Sequence, residues 1–296
     1  MTAEKAKRVL VVGAKGMLGR EAMSAAQRGR GWLAEAEVAG VDIDEVDITS
    51  FGSVEGCFEE YRPDVVVNCA GYTNVDGAET DRDRAFAVNG DGPGNLAHGC
   101  SRRGLKLVHI STDFVFDGKV RVPYEEDDRV GPLSVYGESK LAGEQAVRRE
   151  LADHLIVRIS WLFGRWGPNF VTTIQQLARE RDELRVVSDQ VGSPTYAADV
   201  VEAAGLLLDA QASGTVHFHN AGHCSWYDFA AEIVRQSGLG AAVRAVGSEE
   251  YPRPACRPAW SVMSLDRYEQ LTGQMPRPWP EALGAYLAEL AQSRPE

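Results

Sequence analysis

Tyr136 and Lys140 stand four residues apart in Tyr136-Gly-Glu-Ser-Lys140. On a helix that spacing puts both side chains on one face. A phenol, with a pKa near ~10, is a reluctant acid at neutral pH. An ammonium beside it stabilises the phenolate, each unit of lowering being about 1.4 kcal/mol. A phenol tuned in this way can protonate a ketone oxygen as hydride reaches the carbon. The bland alternative is an exposed helical pair. Lys140 is one of six lysines beside 25 arginines, which fits a position needing a compact cation rather than a guanidinium fork. A third group is expected at the end of the preceding strand, where Ser111, Thr112 and Asp113 follow Val108-His-Ile. Either hydroxyl there can bond a substrate carbonyl, and plain turn formation is the alternative.

Gly13, Gly16 and Gly19 form G-x-x-G-x-x-G after a branched apolar run. In a strand–loop–helix setting such glycines allow a tight turn and close backbone approach to a pyrophosphate. The helix start supplies N–H groups and positive partial charge. Asp42 closes the next such run, 23 residues beyond Gly19. Its carboxylate can accept from ribose hydroxyls and would repel a 2′-phosphate. The run VDIDEVDI around it contains no Arg or Lys. The cofactor expected is therefore NADH or NADPH, with NADH slightly favoured because Lys15 can still reach a phosphate. A solvated strand end is the alternative for Asp42.

These groups need a scaffold. Short β-type runs at residues 8–12, 38–41, 64–67, 105–110 and 155–160 alternate with helix-period stretches. The helical stretches run from the glycine loop to about residue 28, over 50–61, over about 81–103 with an interruption near 91–94, and over 136–150. This βαβα rhythm predicts an α/β fold, a Rossmann-type doubly wound parallel sheet with helices on both faces. Later, 169–181, 197–209, 227–237 and 280–291 read as helices, 215–219 as a strand, and the Pro- and Trp-dense 251–280 as ordered loop. The division expected is a dinucleotide-binding domain over 1–165, with about 193–220 returning to it. Residues 166–192 and 221–296 form a smaller, interleaved substrate-binding part.

Composition narrows the classes. The 296 residues carry a net charge of −12, with 44% hydrophobic and 25% charged residues. That excludes a disordered, collagen-like or coiled-coil chain, and the acidic balance argues against nucleic-acid binding. Five scattered cysteines without a C-x-x-C pair make a disulfide framework or zinc site unexpected. The first eight residues are polar, with no signal-peptide core, and no apolar run approaches ~18 residues. Neither a membrane partner nor a location outside the cytoplasm is expected. No metal is expected: His217, His219 and His223 read as strand-and-turn histidines, and Asp76, Glu79, Asp81 and Asp83 as a solvated helix start. Trp226, Trp260 and Trp279 read as core or pocket walls, and Cys69 as a small core residue.

Taken in order, nine segments resemble the dTDP-4-dehydrorhamnose reductase family of the extended short-chain dehydrogenase/reductase superfamily. They are the glycine loop at 13–19, NCAGYTNVDGAE (68–79), the region of Asn89, STDFVFDG (111–118), PLSVYGESKLAGE (132–144), RISWLFG (158–164), NF (169–170), DQVGSPT (189–195) and CRP (256–258). The resemblance spans nearly the whole chain. It implies reduction of the C4 ketone of a dTDP-4-keto-6-deoxy sugar, dTDP-4-dehydrorhamnose foremost, by NAD(P)H. Tyr136 would be the general acid and Lys140 its partner, also bonding the nicotinamide ribose. Thr112 would bind the reacting oxygen and Asp113 the sugar. Gly13, Gly16, Met17, Leu18 and Gly19 would hold the pyrophosphate; Asp47 and Ile48 would lie near adenine, and Ala70, Gly71 and Tyr72 would line the cofactor. Trp161 would pack on the nucleotide-sugar, with Asn169 and Arg257 as further substrate residues, Arg257 toward the diphosphate. A homodimer is compatible with this reading.

The chain departs from the family at Met17, where Gln is frequent, at Gly71, where Ala is usual, and at Ala259 and Trp260, which can reshape the sugar pocket. Two rivals stand beside the reductase. One is a nucleotide-sugar epimerase or dehydratase that recycles its cofactor. The other is a non-catalytic, reductase-like regulatory subunit, against which the intact Thr112, Tyr136 and Lys140 set argues.

Overall fold

The computed structural model describes residues 6–292; the two chain ends, included in the domain ranges above, lie outside the described residues. The run Arg-Val-Leu-Val-Val forms strand β1 (Arg8–Val12), its last four residues buried. Runs of branched residues like this suit a parallel sheet covered on both faces. Four more follow: β2 (Glu37–Val41), β3 (Val65–Asn68), β4 (Lys106–Thr112) and β5 (His154–Ile159). Gly214–His217 adds the sixth strand beside β5. All pair in parallel, in the order sixth strand, β5, β4, β3, β1, β2.

Alternate residues of β1 face opposite layers. Val9 and Val11 pack with Leu18 and Ala22 of helix α1 (Met17–Gln27) and with Val200, Val201 and Leu207 of the helix Ala197–Asp209. Leu10 and Val12 pack with Val54 and Phe58 of helix α2 (Phe51–Tyr61), with Leu96 and Cys100, and with Val147 of the helix Val135–Glu150. The strand order reverses at β1, so a crevice opens at the carboxyl ends of β1 and β3, where ligands bind in such sheets.

A separate core gathers Phe163, Ile174, Leu184, Phe229, Ile233, Leu283 and Tyr286. It joins the helices Phe170–Glu180, Trp226–Gln236 and Trp279–Gln292 to a small parallel pair, Glu183–Val187 with Ala242–Val246. That pair escapes a reading by local pattern, because its strands are largely exposed and each finds its partner far away in sequence. The segment expected to be loop throughout, 251–280, contains a helix over Asp266–Thr272. Near 91–94 the helix widens instead of breaking: Ala87–Asp91 is a π-helical turn running directly into Gly92–Arg103. Pro93 has no N–H to give the carbonyl four residues back, and one wide turn absorbs the misfit.

Candidate active site

At the strand ends lies a cleft of about 980 Å³. Its first wall is the glycine loop. Gly13 has φ +82°, and a Cβ there would come within 2.5 Å of the Ala70 amide nitrogen. A Cβ on Gly19 would sit 2.1 Å from the Gly13 carbonyl oxygen. Backbone alone fills both places. Gly16 N-caps α1 with no side-chain bond to the first turn, which contains no acidic residue. The helix start facing the cleft is thus unshielded, the arrangement an anionic pyrophosphate requires. The residues present therefore fit a dinucleotide.

Asp42 accepts from the Lys15 N–H at 2.7 Å and the Ile43 N–H at 2.9 Å, and the Lys15 ammonium pairs with Asp44. Asp47 accepts from the amide and hydroxyl of Thr49 at 2.9 and 2.7 Å. Asp42, Asp47, Ile48, Ala70, Gly71 and Tyr72 all line the cleft, as do Gly13, Gly16, Met17 and Leu18. Gly19 lies behind the loop.

The catalytic candidates come from two elements. Ser134 caps the helix Val135–Glu150 by accepting from the Gly137 N–H at 3.2 Å, which presents Tyr136 and Lys140 to the cleft beside Thr112 at the end of β4. The Lys140 ammonium donates to the Ile110 carbonyl at 2.7 Å. Burial brings Lys140 down to about 8, with Glu144 opposing. Burial likewise pushes the Tyr136 phenol up to about 12; the Thr112 hydroxyl pulls it back and the Asp113 charge adds to the rise. The Thr112 hydroxyl is thus the neighbour that lowers the phenol, while the Lys140 ammonium is anchored on the Ile110 carbonyl. Thr112 donates to Asp113 at 3.0 Å and accepts from the Phe114 N–H at 3.2 Å. Burial raises Asp113 to about 6 against hydrogen bonds from Ser261 and Thr112.

Two supports were not singled out from sequence. Glu144, buried one turn beyond Lys140, accepts from Ser111 at 2.6 Å and from Nε and Nη2 along one edge of the Arg158 guanidinium at 2.9 and 2.8 Å. It ties the catalytic helix to β4 and β5, and the arginine inside the apolar run of β5 was the available signal. Asn89, named only as a region, accepts from the Tyr72 N–H at 2.8 Å and donates to the Tyr72 carbonyl and the Ser139 hydroxyl, both at 3.0 Å. It joins the cofactor wall to the catalytic helix from within the π turn.

On the substrate side, Asp113 and Trp161 line the cleft. Trp161 holds φ +44°, a costly conformation for a bulky side chain, and its ring stacks on Trp226 at 3.5 Å and 7°. A Cβ on Gly192 would lie 2.5 Å from that ring. Asn169 and Arg257 do not reach the cleft. Asn169 caps the helix Phe170–Glu180 and donates to the Gly164 carbonyl at 2.8 Å; Arg257 is bound in two places to Asp76, each at 3.0 Å. Among the described residues no group of three or more His, Cys, Asp or Glu is placed to hold a metal, and no helix is long and apolar enough to cross a membrane.

The family model described as the RmlD substrate binding domain matches residues 7–292. The chain is 44% identical over 282 residues to the spore coat polysaccharide biosynthesis protein SpsK of Bacillus subtilis, covering 95% of this chain and 97% of that one. It is 43% identical over 283 residues to dTDP-4-dehydrorhamnose reductase of Mycolicibacterium smegmatis, covering 94% and 84%. The crystal structure of dTDP-4-dehydrorhamnose reductase from Bacillus anthracis in complex with NADP superposes with a TM-score of 0.91 at 38% identity, covering 96% of this chain and 100% of that one.

Proposed function

The chain belongs to the dTDP-4-dehydrorhamnose reductase family, and from that premise we propose that it reduces the C4 ketone of a dTDP-4-keto-6-deoxy sugar, dTDP-4-dehydrorhamnose foremost. The observation that carries this reading is the meeting of Tyr136, Lys140 and Thr112 in one cleft with an uncapped, glycine-bounded helix start. A bound NAD(P)H supplies the hydride. Gly13, Gly16, Met17 and Leu18 would hold its pyrophosphate, Asp42 its adenosine ribose, Asp47 and Ile48 its adenine, and Ala70, Gly71 and Tyr72 its inner face. Asp42 favours NADH slightly, and NADPH remains a substrate.

Tyr136 gives its proton to the carbonyl oxygen as the carbon is reduced. The ketone thereby becomes an alcohol and the phenol a phenolate. Thr112 orients that oxygen and, by donating to the phenolate, brings the acid's pKa toward that of the new alcohol. Lys140 contributes positive charge beneath the phenolate and bonds the nicotinamide ribose. Asp113 holds a sugar hydroxyl and Trp161 packs on the nucleotide-sugar. Asn169 and Arg257 act through the frame of the substrate side. The form assumed is a cytoplasmic enzyme, alone or as a homodimer, with the division into cofactor and substrate parts given above.

The test is an absorbance assay at the reduced-nicotinamide band, offering a dTDP-4-keto-6-deoxy sugar with each cofactor and identifying the product. One reduced cofactor consumed per sugar supports the reductase. Conversion without net consumption would assign an epimerase or dehydratase instead.

A further inference from the structure

The stretch after the cofactor wall makes contacts that no step above uses. Asn74 caps a short helical turn, Val75–Ala78, by accepting from the Gly77 N–H at 2.9 Å. Ala78 is buried beneath it, and Val75 lines the cleft. Two carboxylates leave this turn three residues apart, in different directions.

Asp76 faces the substrate side. One carboxylate oxygen accepts from Arg257 at 3.0 Å and from the Ala255 N–H at 3.3 Å; the other accepts from Arg257 at 3.0 Å. Arg257 also donates to the Ala255 carbonyl at 2.9 Å, closing a ring of bonds around the loop. Arg253 adds a weaker contact at 3.8 Å. A bidentate pair of this kind fixes orientation as well as distance. The loop it fixes ends at Ser261, beside Asp113 of the cleft. Pro258 packs so closely on Gly118 that a Cβ there would be 2.6 Å from the proline ring. The Ala259 carbonyl accepts from the Val191 N–H at 3.0 Å, and Ser261 bonds Asp113.

Glu79 faces the other way. It accepts from the Val135 N–H at 2.9 Å, one of the donors that a helix leaves without an internal partner. Val135 immediately precedes Tyr136. Three residues beyond Glu79, Arg82 pairs with Glu138 of the same catalytic helix at 2.8 Å.

We propose that residues 75–79 are a strut that sets the two halves of the active site against each other, with Glu79 a positioning residue for Tyr136 and Asp76, through Arg257, a positioning residue for the substrate-side loop 255–261. This rests on the reductase reading only in taking Tyr136 as the acid. Neither carboxylate touches cofactor or reacting atoms. Each acts through the element it holds, so the two act on different kinetic constants.

The test uses the full chain with NADPH and a dTDP-4-keto-6-deoxy sugar. Asp76→Ala frees the loop and raises KM for the sugar by at least ~10-fold with kcat within about twofold, since misplacing a group by an ångström costs up to ~100-fold. Exchanging the pair, Asp76→Arg with Arg257→Asp, restores most of that loss. Glu79→Ala lowers kcat by at least ~10-fold with both KM values near wild type. Glu79→Gln, whose amide oxygen still accepts from Val135, restores it. Two readouts need no turnover. Asp76→Ala weakens binding of dTDP alone and leaves NADPH binding unchanged, and Glu79→Ala speeds hydrogen exchange at the amides of residues 135–136. A wild-type protein that never turns over would overturn the reductase reading, while these two readouts still decide the strut. The strut is overturned if Asp76→Ala and Glu79→Ala leave both constants within twofold, or if Glu79→Gln is as impaired as Glu79→Ala.

Discussion

Tyr136, Lys140 and Thr112 carry the proposed chemistry, and their electrostatics differ from what spacing alone suggests. Helical spacing brings the phenol and the ammonium to one face, and the chain does that. What spacing cannot give is the ammonium's own partner, since the Ile110 carbonyl belongs to a strand 30 residues earlier. Burial holds Lys140 near 8, below its ordinary value of 10.5. In the free enzyme kcat/KM should therefore fall on the alkaline side near pH 8, as the positive charge beneath Tyr136 is lost; a profile flat through pH 9.5 would contradict this. The same shift has a stability sign. The unfolded chain binds the lysine proton more tightly, so folding is opposed below about pH 8 and stability rises as pH climbs from about 8 to 10.5. The cost at pH 7 is on the order of 3 kcal/mol. Lys140→Met should lose turnover, unfold at a higher temperature at pH 7, and show no such rise, as thermal melts across that range would report.

At the level of elements, the glycine loop was legible because its demands are local: a left-handed turn at Gly13 and contact between turn and helix at Gly19. Gly19→Ala should abolish NADPH binding, measured by fluorescence titration, because its Cβ would collide with the Gly13 carbonyl at 2.1 Å. The packing of the catalytic helix was not legible. A Cβ on Gly143 would lie 2.0 Å from the Asn89 carbonyl oxygen, so this glycine serves close approach to the π turn. That contact needs two distant segments and a bulge that Pro93 announces only as an interruption. Gly143→Ala should destabilise by about 1–3 kcal/mol through overpacking, read in denaturant melts, with kcat reduced because the helix bearing Tyr136 is displaced. The small parallel pair Glu183–Val187 and Ala242–Val246 was missed for the same reason, each strand finding its partner only in the folded core.

Across the molecule, the βα alternation predicted the sheet because all its strands but the edge strand β2 are mostly buried and show that burial in their own residues. The substrate side depends on contacts between segments that alternate little, and sequence alone does not show that Asn169 bonds the Gly164 carbonyl or that Arg257 pairs with Asp76. The acidic net charge of −12 does not oppose a doubly phosphorylated ligand, since Arg20 and Arg84 line the cleft beside the unshielded start of α1. Ligand that binds only the folded chain stabilises it by mass action. NADPH at a hundred times its Kd should add about 2.7 kcal/mol, visible as a higher melting temperature that Gly19→Ala does not show. The account as a whole turns on the phenol at the cleft. The direct measurement compares wild type and Tyr136→Phe for NADPH binding and for steady-state reduction of the dTDP-4-keto-6-deoxy sugar. The account predicts unchanged cofactor affinity and turnover reduced by ~100-fold or more; a phenylalanine variant that turns over at near the wild-type rate would contradict it.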